Sequence, residues 1–226
     1  MARHCFALGI DLKRVEVIPD DYDAIAEAAT RLSRTNDWVV TSGGIGPTPD
    51  DITYDSLARA FNTTLEYHDE TIRRMDVSAK QRGHKLSESE DVKRARYRMA
   101  LFPKGADVIF PTKEYWVPIV RVGGNVCILP GVPRIFEALL DAYTPYLCLD
   151  PSRPRPIRQL INCAVPESEL SPLLERLTVS GQRDGIKVGS YPRWGTGVHI
   201  SLIGTDPKVL ERYTAEVVAA TGGTKL

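Results

Sequence analysis

Between Thr41 and Asp51 the chain reads Thr-Ser-Gly-Gly-Ile-Gly-Pro-Thr-Pro-Asp-Asp. Gly43, Gly44 and Gly46 let backbone N–H groups approach a ligand with no Cβ in the way, and successive N–H groups ahead of a helix form an anion-binding concavity. Thr41, Ser42 and Thr48 add hydroxyl donors. Asp50 and Asp51 would repel a phosphate held there unless a cation lies between. The residue types therefore ask for a divalent metal with carboxylates on one side and phosphate oxygens on the other. One of the two carboxylates also has a plainer use, because Asp ahead of a helix caps its first turn. The spacing is neither a G-x-x-x-x-G-K-[ST] phosphate loop, since no Lys follows, nor a G-x-G-x-x-G dinucleotide loop.

Such a loop needs elements to hold it. The apolar run "DWVVTS" before it suits a strand buried on both faces, and "TYDSLARAF" after it suits a helix. Upstream, "RVEVIP" (Arg14 to Pro19) is β-branched and stops at a proline, so it is expected to form a strand. "DDYDAIAEAATRLSR" follows with a capping carboxylate, an apolar stripe at Ile25, Ala28, Ala29 and Leu32, and a basic last turn, which predicts a helix. Strand, helix, strand, loop, helix is the pattern of an α/β domain with a largely parallel sheet. The charged middle, from "HDETIRRM" to "RYRMALFP", is expected to be helical with a break near Gly83, its arginines forming a solvated face. "DVIFP", "WVPIVRVGG" and "NVCILPG" are expected strands, the last two joined by a tight turn at Gly123-Gly124-Asn125, and "VPRIFEALLDAYTPYLCL" an expected helix. "DPSRPRPIR" suits an extended linker. Beyond it the pattern is β-α-β-β-α, with its first helix from about Pro166 to Ser180, a small α+β unit of roughly 70 residues that is marginal alone.

The chain has 226 residues, of which 42% are hydrophobic, enough to bury a substantial core. Lys plus Arg and Asp plus Glu each number 29, so no global field favours nucleic acid or an anionic membrane, and any anion site must be local. The first residues resemble no signal peptide and no segment approaches the length of a membrane span, so a cytoplasmic protein is expected. Cys127, Cys148 and Cys163 sit in apolar surroundings, and all four cysteines are expected to be reduced and structural, with an exposed Cys5 as the alternative. The histidines are scattered, which argues against a zinc cluster.

"TSGGIGPTPDDIT" resembles the signature loop of the molybdopterin-binding MoaB/MogA-like fold, and more closely its CinA-type branch, which includes the amino-terminal domain of eukaryotic FAD synthase. "EYHDETIRRM", "RMALFPKGADVI", "VPIVRVGGNVCILPGVPRIF" and "VGSYPRW" extend the likeness over most of the chain in the same order. The resemblance implies a three-layer α/β/α sandwich over residues 1–150 and a small α+β domain, KH-like or ferredoxin-like, over 151–226. It further implies a metal-dependent pyrophosphatase acting on FAD or ADP-ribose, with cobalt or magnesium and also potassium as cofactors. Asp50 and Asp51 would hold the metal or orient its water. Thr41, Ser42, Gly43, Gly44, Gly46 and Thr48 would bind the ligand, with Pro130 and Gly131 of "LPGVP" shaping the opposite wall, unless that stretch is only a strand-to-helix turn. Two departures count against activity. The branch usually has Thr-His-Asp-Asp where this chain has Thr48-Pro49-Asp50-Asp51. Its members also begin with a strand and a "GDEIL…G…DTN" segment, whereas Met1 here corresponds to a position inside the following helix, so the first domain is expected to lack its first strand. A non-catalytic molybdopterin-binding module and a regulatory remnant of FAD synthase are the alternatives. Homo-oligomers are common in the fold; nucleic acid and membrane are not expected partners.

Overall fold

The computed structural model describes residues 1–83 and 89–226. His84, and with it the part of the expected helical middle at 84–88, lies outside the described residues. The chain divides into two compact units, residues 14–149 and residues 1–13 together with 150–226.

The first unit starts with an extended segment rather than the strand expected at Arg14 to Pro19. Val15 and Val17 are 73% and 98% exposed. β-branched residues suit a pleated surface, but a strand exists only where another strand pairs with it, and here the segment is fastened by a side chain. Both carboxylate oxygens of Glu16 accept from Arg31, at 3.0 and 2.9 Å. Arg31 belongs to helix α2 (Tyr22–Thr35), whose N-cap is Asp21, accepting from the amides of Asp23 and Ala24. Ile25, Ala28 and Ala29 form its buried stripe.

Strand β1 (Val39–Ser42) precedes the glycine loop and helix α3 (Thr53–Ala60). Only Val39 of β1 is buried, so the strand is not enclosed on both faces as its composition suggested. The short strand β2 (Leu65–Tyr67) leads into α4 (Asp69–Gln81), and α5 (Glu90–Arg98) leads into β3 (Leu101–Pro103). β3 was expected to be helical; it pairs antiparallel with β2 instead, Glu66 opposite Phe102. Then come β4 (Asp107–Ile109), β5 (Ile119–Val122), β6 (Val126–Leu129) and α6 (Pro133–Tyr143), which ends in a 3₁₀ turn at Thr144–Leu147.

The main sheet of this unit has the order β1-β6-β5-β4. It is mixed rather than largely parallel. β1 runs parallel to β6, while β6 to β5 and β5 to β4 are antiparallel, because β5 and β6 are joined directly by a tight turn with Gly123 and Gly124 at positive φ. One face, carrying Val120, Val122, Val126 and Ile128, packs with Ala29 of α2 and with Tyr54 and Leu57 of α3. The opposite face meets α6, where the Tyr143 hydroxyl lies 3.4 Å from the Cys127 sulfur. Helices on both faces of a sheet give the three-layer α/β/α arrangement. Each fully buried Leu or Ile in these layers contributes about 1.5–3 kcal/mol.

The second unit contains α1 (Ala2–Leu8), β7 (Ile157–Cys163), α7 (Glu167–Asp184), β8 (Lys187–Arg193), β9 (Gly197–Gly204), α8 (Pro207–Thr221) and β10 (Thr224–Lys225). The β-α-β-β-α reading is met, with a short closing strand in addition. The order β10-β7-β9-β8, antiparallel throughout, is the ferredoxin-like arrangement. Leu170 and Leu177 of α7 and Leu210, Tyr213 and Val217 of α8 pack on Ile161, Ile200 and Leu202. Residues 1–13, expected as part of the first domain, group with this unit; Phe6 of α1 lies beneath the Arg158 guanidinium at 4.8 Å.

The cysteines also differ from expectation. All are free thiols, but Cys5 is buried and Cys148 is exposed. Burial pushes the Cys5 and Cys127 thiols up from their ordinary values. Among the described residues no helix is long and apolar enough to cross a membrane.

Candidate functional site

β1 and β6 are parallel neighbours with Ser42 opposite Leu129, so the loops leaving their carboxyl ends run side by side. Open α/β sheets place ligands at such a crevice. A Cβ built on Gly131 would lie 3.1 Å from the Gly43 Cα, and Ser42 Oγ is 3.5 Å from the Pro130 carbonyl oxygen. The structure thus brings Ser42, Gly43, Pro130 and Gly131 together, with Pro130 buried and Gly131 exposed.

Gly43 and Gly44 adopt φ of 97° and 66°, the region that favours glycine. A Cβ at Gly44 would sit 2.3 Å from Thr53 Oγ1. Thr53 locks the loop onto α3. Its amide donates to the Gly44 carbonyl and its hydroxyl to the Gly43 carbonyl, both at 3.0 Å. Neither aspartate caps the helix. The N-cap position is Ile52, with no side-chain bond, because the carboxylate that was available turns back into the loop.

That carboxylate is Asp51. Its Oδ2 accepts from the Thr48 amide at 3.0 Å and from the Thr48 hydroxyl at 2.5 Å, and the Gly46 amide also donates to the side chain. Gly46 permits the approach, since a Cβ there would lie 2.5 Å from Oδ2. Burial opposes ionisation of Asp51, but the Thr48 hydroxyl, the Gly46 and Thr48 amides and the nearby Arg98 charge outweigh it, so the carboxyl titrates below its ordinary value. Asp50 is exposed. Thr41 Oγ1 is buried and has no hydrogen-bond partner among the described residues.

Three donors converge on the carboxylate of Asp51, itself a residue of this loop. The arrangement is open. Two hollows on the surface, one along α2 beside Arg31 and one along α7 beside Arg176, are not lined by loop residues. Among the described residues no three His, Cys, Asp or Glu side chains come together as a metal cage. Hard cations at diphosphate sites need no such cage, because one or two carboxylates and the ligand's own oxygens suffice. Asp50 and Asp51 are carboxylates of that kind, Asp50 exposed and Asp51 bonded to Thr48.

The sequence reading missed Thr53 and Arg98. Thr53 was legible as the hydroxyl residue two positions after the second aspartate. Arg98 was not, since 47 residues separate it from the Asp51 carbonyl that its Nη2 reaches at 3.1 Å.

A loop of this kind at the end of a parallel strand pair, in a three-layer α/β domain, defines a class, and comparison with known proteins names it. Residues 1–148 match the family described as "Probable molybdopterin binding domain", and the chain belongs to that family. It is similar to a "Probable FAD synthase" of Caenorhabditis elegans, 29% identical over 204 residues, covering 85% of this chain and 39% of that protein. It is also similar to a "CinA-like protein" of Anaeromyxobacter sp. (strain Fw109-5), 30% identical over 220 residues, covering 96% of this chain and 52% of that protein. The chain therefore spans about two-fifths to half the length of these relatives. Among solved structures, one described as the protein CinA with unknown function from Thermoplasma acidophilum is 32% identical, with a TM-score of 0.49, over 62% of this chain and 79% of that one.

Proposed function

We propose that the glycine loop binds the diphosphate of a nucleotide such as FAD or ADP-ribose together with a divalent metal, cobalt or magnesium, and that the chain hydrolyses that diphosphate. The observation that carries this reading is the set of donors on Asp51. The Gly46 amide, the Thr48 amide and the Thr48 hydroxyl already grip one carboxylate, and oxygens of a phosphate match the same donors. Asp50 and Asp51 would hold the metal, which when bound neutralises phosphate charge and lowers the pKa of a water molecule. The chain's own residues orient the ligand: the loop amides fix one phosphate, and the Gly43–Gly131 contact closes the wall beside it. Hydrolysis adds water across the P–O–P bridge, so FAD would give FMN and AMP. The relative described as a probable FAD synthase supports a flavin nucleotide as the first ligand to test.

A second reading has its own support. Asp51 is engaged by the loop rather than free, and the family's description is of molybdopterin binding, so the chain would be a non-catalytic pterin module or a regulatory remnant. Release of AMP from FAD, followed by chromatography with cobalt or magnesium and with or without potassium, separates the two. Metal-dependent AMP release supports the hydrolase. Tight pterin binding in calorimetry with no AMP released from FAD or ADP-ribose replaces it with the module.

A further inference from the structure

From Thr41 to Ser56 the sequence has three aspartates, Asp50, Asp51 and Asp55, and no Lys or Arg. A loop that receives an anion needs positive charge from elsewhere, and among the described residues a hydrogen-bonded guanidinium reaches it. Arg98, the last residue of α5, places Nη2 3.1 Å from the Asp51 carbonyl oxygen and 3.4 Å from Asp55 Oδ2. The Asp51 peptide ends the loop and Asp55 lies in the first turn of α3, so the guanidinium sits where the loop becomes a helix. It is held there. Asp76 of α4 takes Arg96 Nη2 at 3.0 Å on one oxygen and the Tyr97 hydroxyl at 2.9 Å on the other, which fixes the end of α5 immediately before Arg98.

Two features set Arg98 apart from the solvated arginines of the same helices. Arg94, by contrast, pairs within its own turn with Asp91 and is 75% exposed; Arg98 points to another element and is 32% exposed. Both of its contacts use Nη2 alone. Nε and Nη1, the remaining arms of the fork, make no hydrogen bond with the described residues. A guanidinium with one arm anchored and two free is pre-organised for an oxyanion, at little further cost in side-chain entropy.

We infer that Arg98 is a ligand-binding residue. Its anchored Nη2 holds the start of α3, and its free Nε and Nη1 donate to a phosphate oxygen of a diphosphate seated in the glycine loop. This rests on the reading of that loop as a diphosphate site. It assigns to the loop a positive side chain that its own sequence lacks, and it predicts a preference for doubly charged phosphoryl groups over neutral ligands.

The test is calorimetric titration of the full chain with inorganic pyrophosphate, ADP-ribose and adenosine in magnesium buffer, for the parent, Arg98→Gln and Arg98→Lys, with urea midpoints as a folding check. Arg98→Gln should weaken pyrophosphate and ADP-ribose by roughly tenfold or more, the loss of charge-assisted hydrogen bonds, and leave adenosine unchanged. Arg98→Lys should fall between, keeping charge and losing the fork. Pyrophosphate affinity equal to the parent's in a folded Arg98→Gln overturns the inference and leaves the loop reading standing. If Arg98→Gln fails to fold, Arg98→Lys decides, and parental affinity there overturns it. A parent that binds neither pyrophosphate nor ADP-ribose sinks the loop reading and the inference together.

Discussion

The C-terminal sheet and the sheet that carries the glycine loop each have four strands, yet they are stabilised differently. β7 with β9, and β8 with β9, pair over seven residues each. In the loop-bearing sheet the β1–β6 pairing covers four residues and the other two cover three each. A long ladder fixes register through backbone bonds and alternating side chains, so its connections need no particular chemistry. A short ladder leaves more to side chains at its ends. Around β1 these are Thr53, which bonds two loop carbonyls, and Asp51, which bonds loop amides. Polar groups that hold the loop in shape are thereby gathered at the carboxyl end of the sheet, where a ligand would meet them.

If the two sheets differ in their ends rather than their interiors, their cores should be equally intolerant of cavities. Leu57 and Ile200 are both fully buried, one in each unit. Leu57→Ala and Ile200→Ala should each cost about 2–5 kcal/mol, read from urea midpoints. A Leu57→Ala cost below about 1 kcal/mol would break the comparison, because the loop-bearing unit would then be loosely packed throughout. Gly44→Ala comes next. The new Cβ meets Thr53 Oγ1 and the residue must keep a φ of 66°, so a loss of about 1–3 kcal/mol is expected, together with weakened nucleotide binding. A neutral result would mean that Thr53 can move and does not fasten the loop.

The same contrast explains what the sequence revealed. The C-terminal β-α-β-β-α order was readable because long strands and a helix with a buried face at Leu170 and Leu177 repeat their periods several times. β2 and β3 were missed: three-residue strands carry no period, and Leu65 pairs with Pro103 across a span of charged helix. "RVEVIP" has the composition of a strand, but among the described residues no strand pairs with it, and pairing is not written in the segment itself. At the site, the glycines and aspartates were visible as a group. Which aspartate did what was not, because the choice between capping α3 and turning into the loop depends on Gly46 leaving room for the Asp51 carboxylate.

Asp51→Asn sharpens that assignment with a smaller effect. Asn keeps the shape and can accept from the Thr48 amide but loses the charge, so a cost of about 1 kcal/mol at neutral pH is expected, discounted for partial exposure. The folded-state pKa of Asp51 lies below its ordinary value of 3.8. Its contribution is therefore present above that ordinary value and is lost as pH falls through the lower folded value. Parent and variant should converge in stability under strong acid and differ above about pH 4. A constant gap from pH 2 to 7 would show that the bond does not depend on the carboxylate's charge. Metal-dependent AMP release from FAD should disappear in the same variant.

The smallest effect belongs to the segment held by neither a ladder nor a loop. Glu16 sits among exposed residues, its pKa pulled down to about 2 by hydrogen bonds from Arg31, against the opposing effect of burial and with further help from Arg14. In Arg31→Met, followed by carboxyl NMR titration, Glu16 should rise towards its ordinary 4.5 while global stability scarcely moves, since exposed ion pairs contribute little. Hydrogen exchange supplies the sharper reading. The amides of Val15 and Val17 make no backbone bond among the described residues, so they should exchange as fast as a free chain in the parent and in Arg31→Met alike, whereas amides of β6 should be strongly protected. Protection of Val15 and Val17 comparable to that of Val126 and Ile128 would mean that residues 14–19 join a sheet in solution. The loop-bearing sheet would then possess a longer ladder than the three short pairings described, and its dependence on Asp51 and Thr53 for order would lose its explanation.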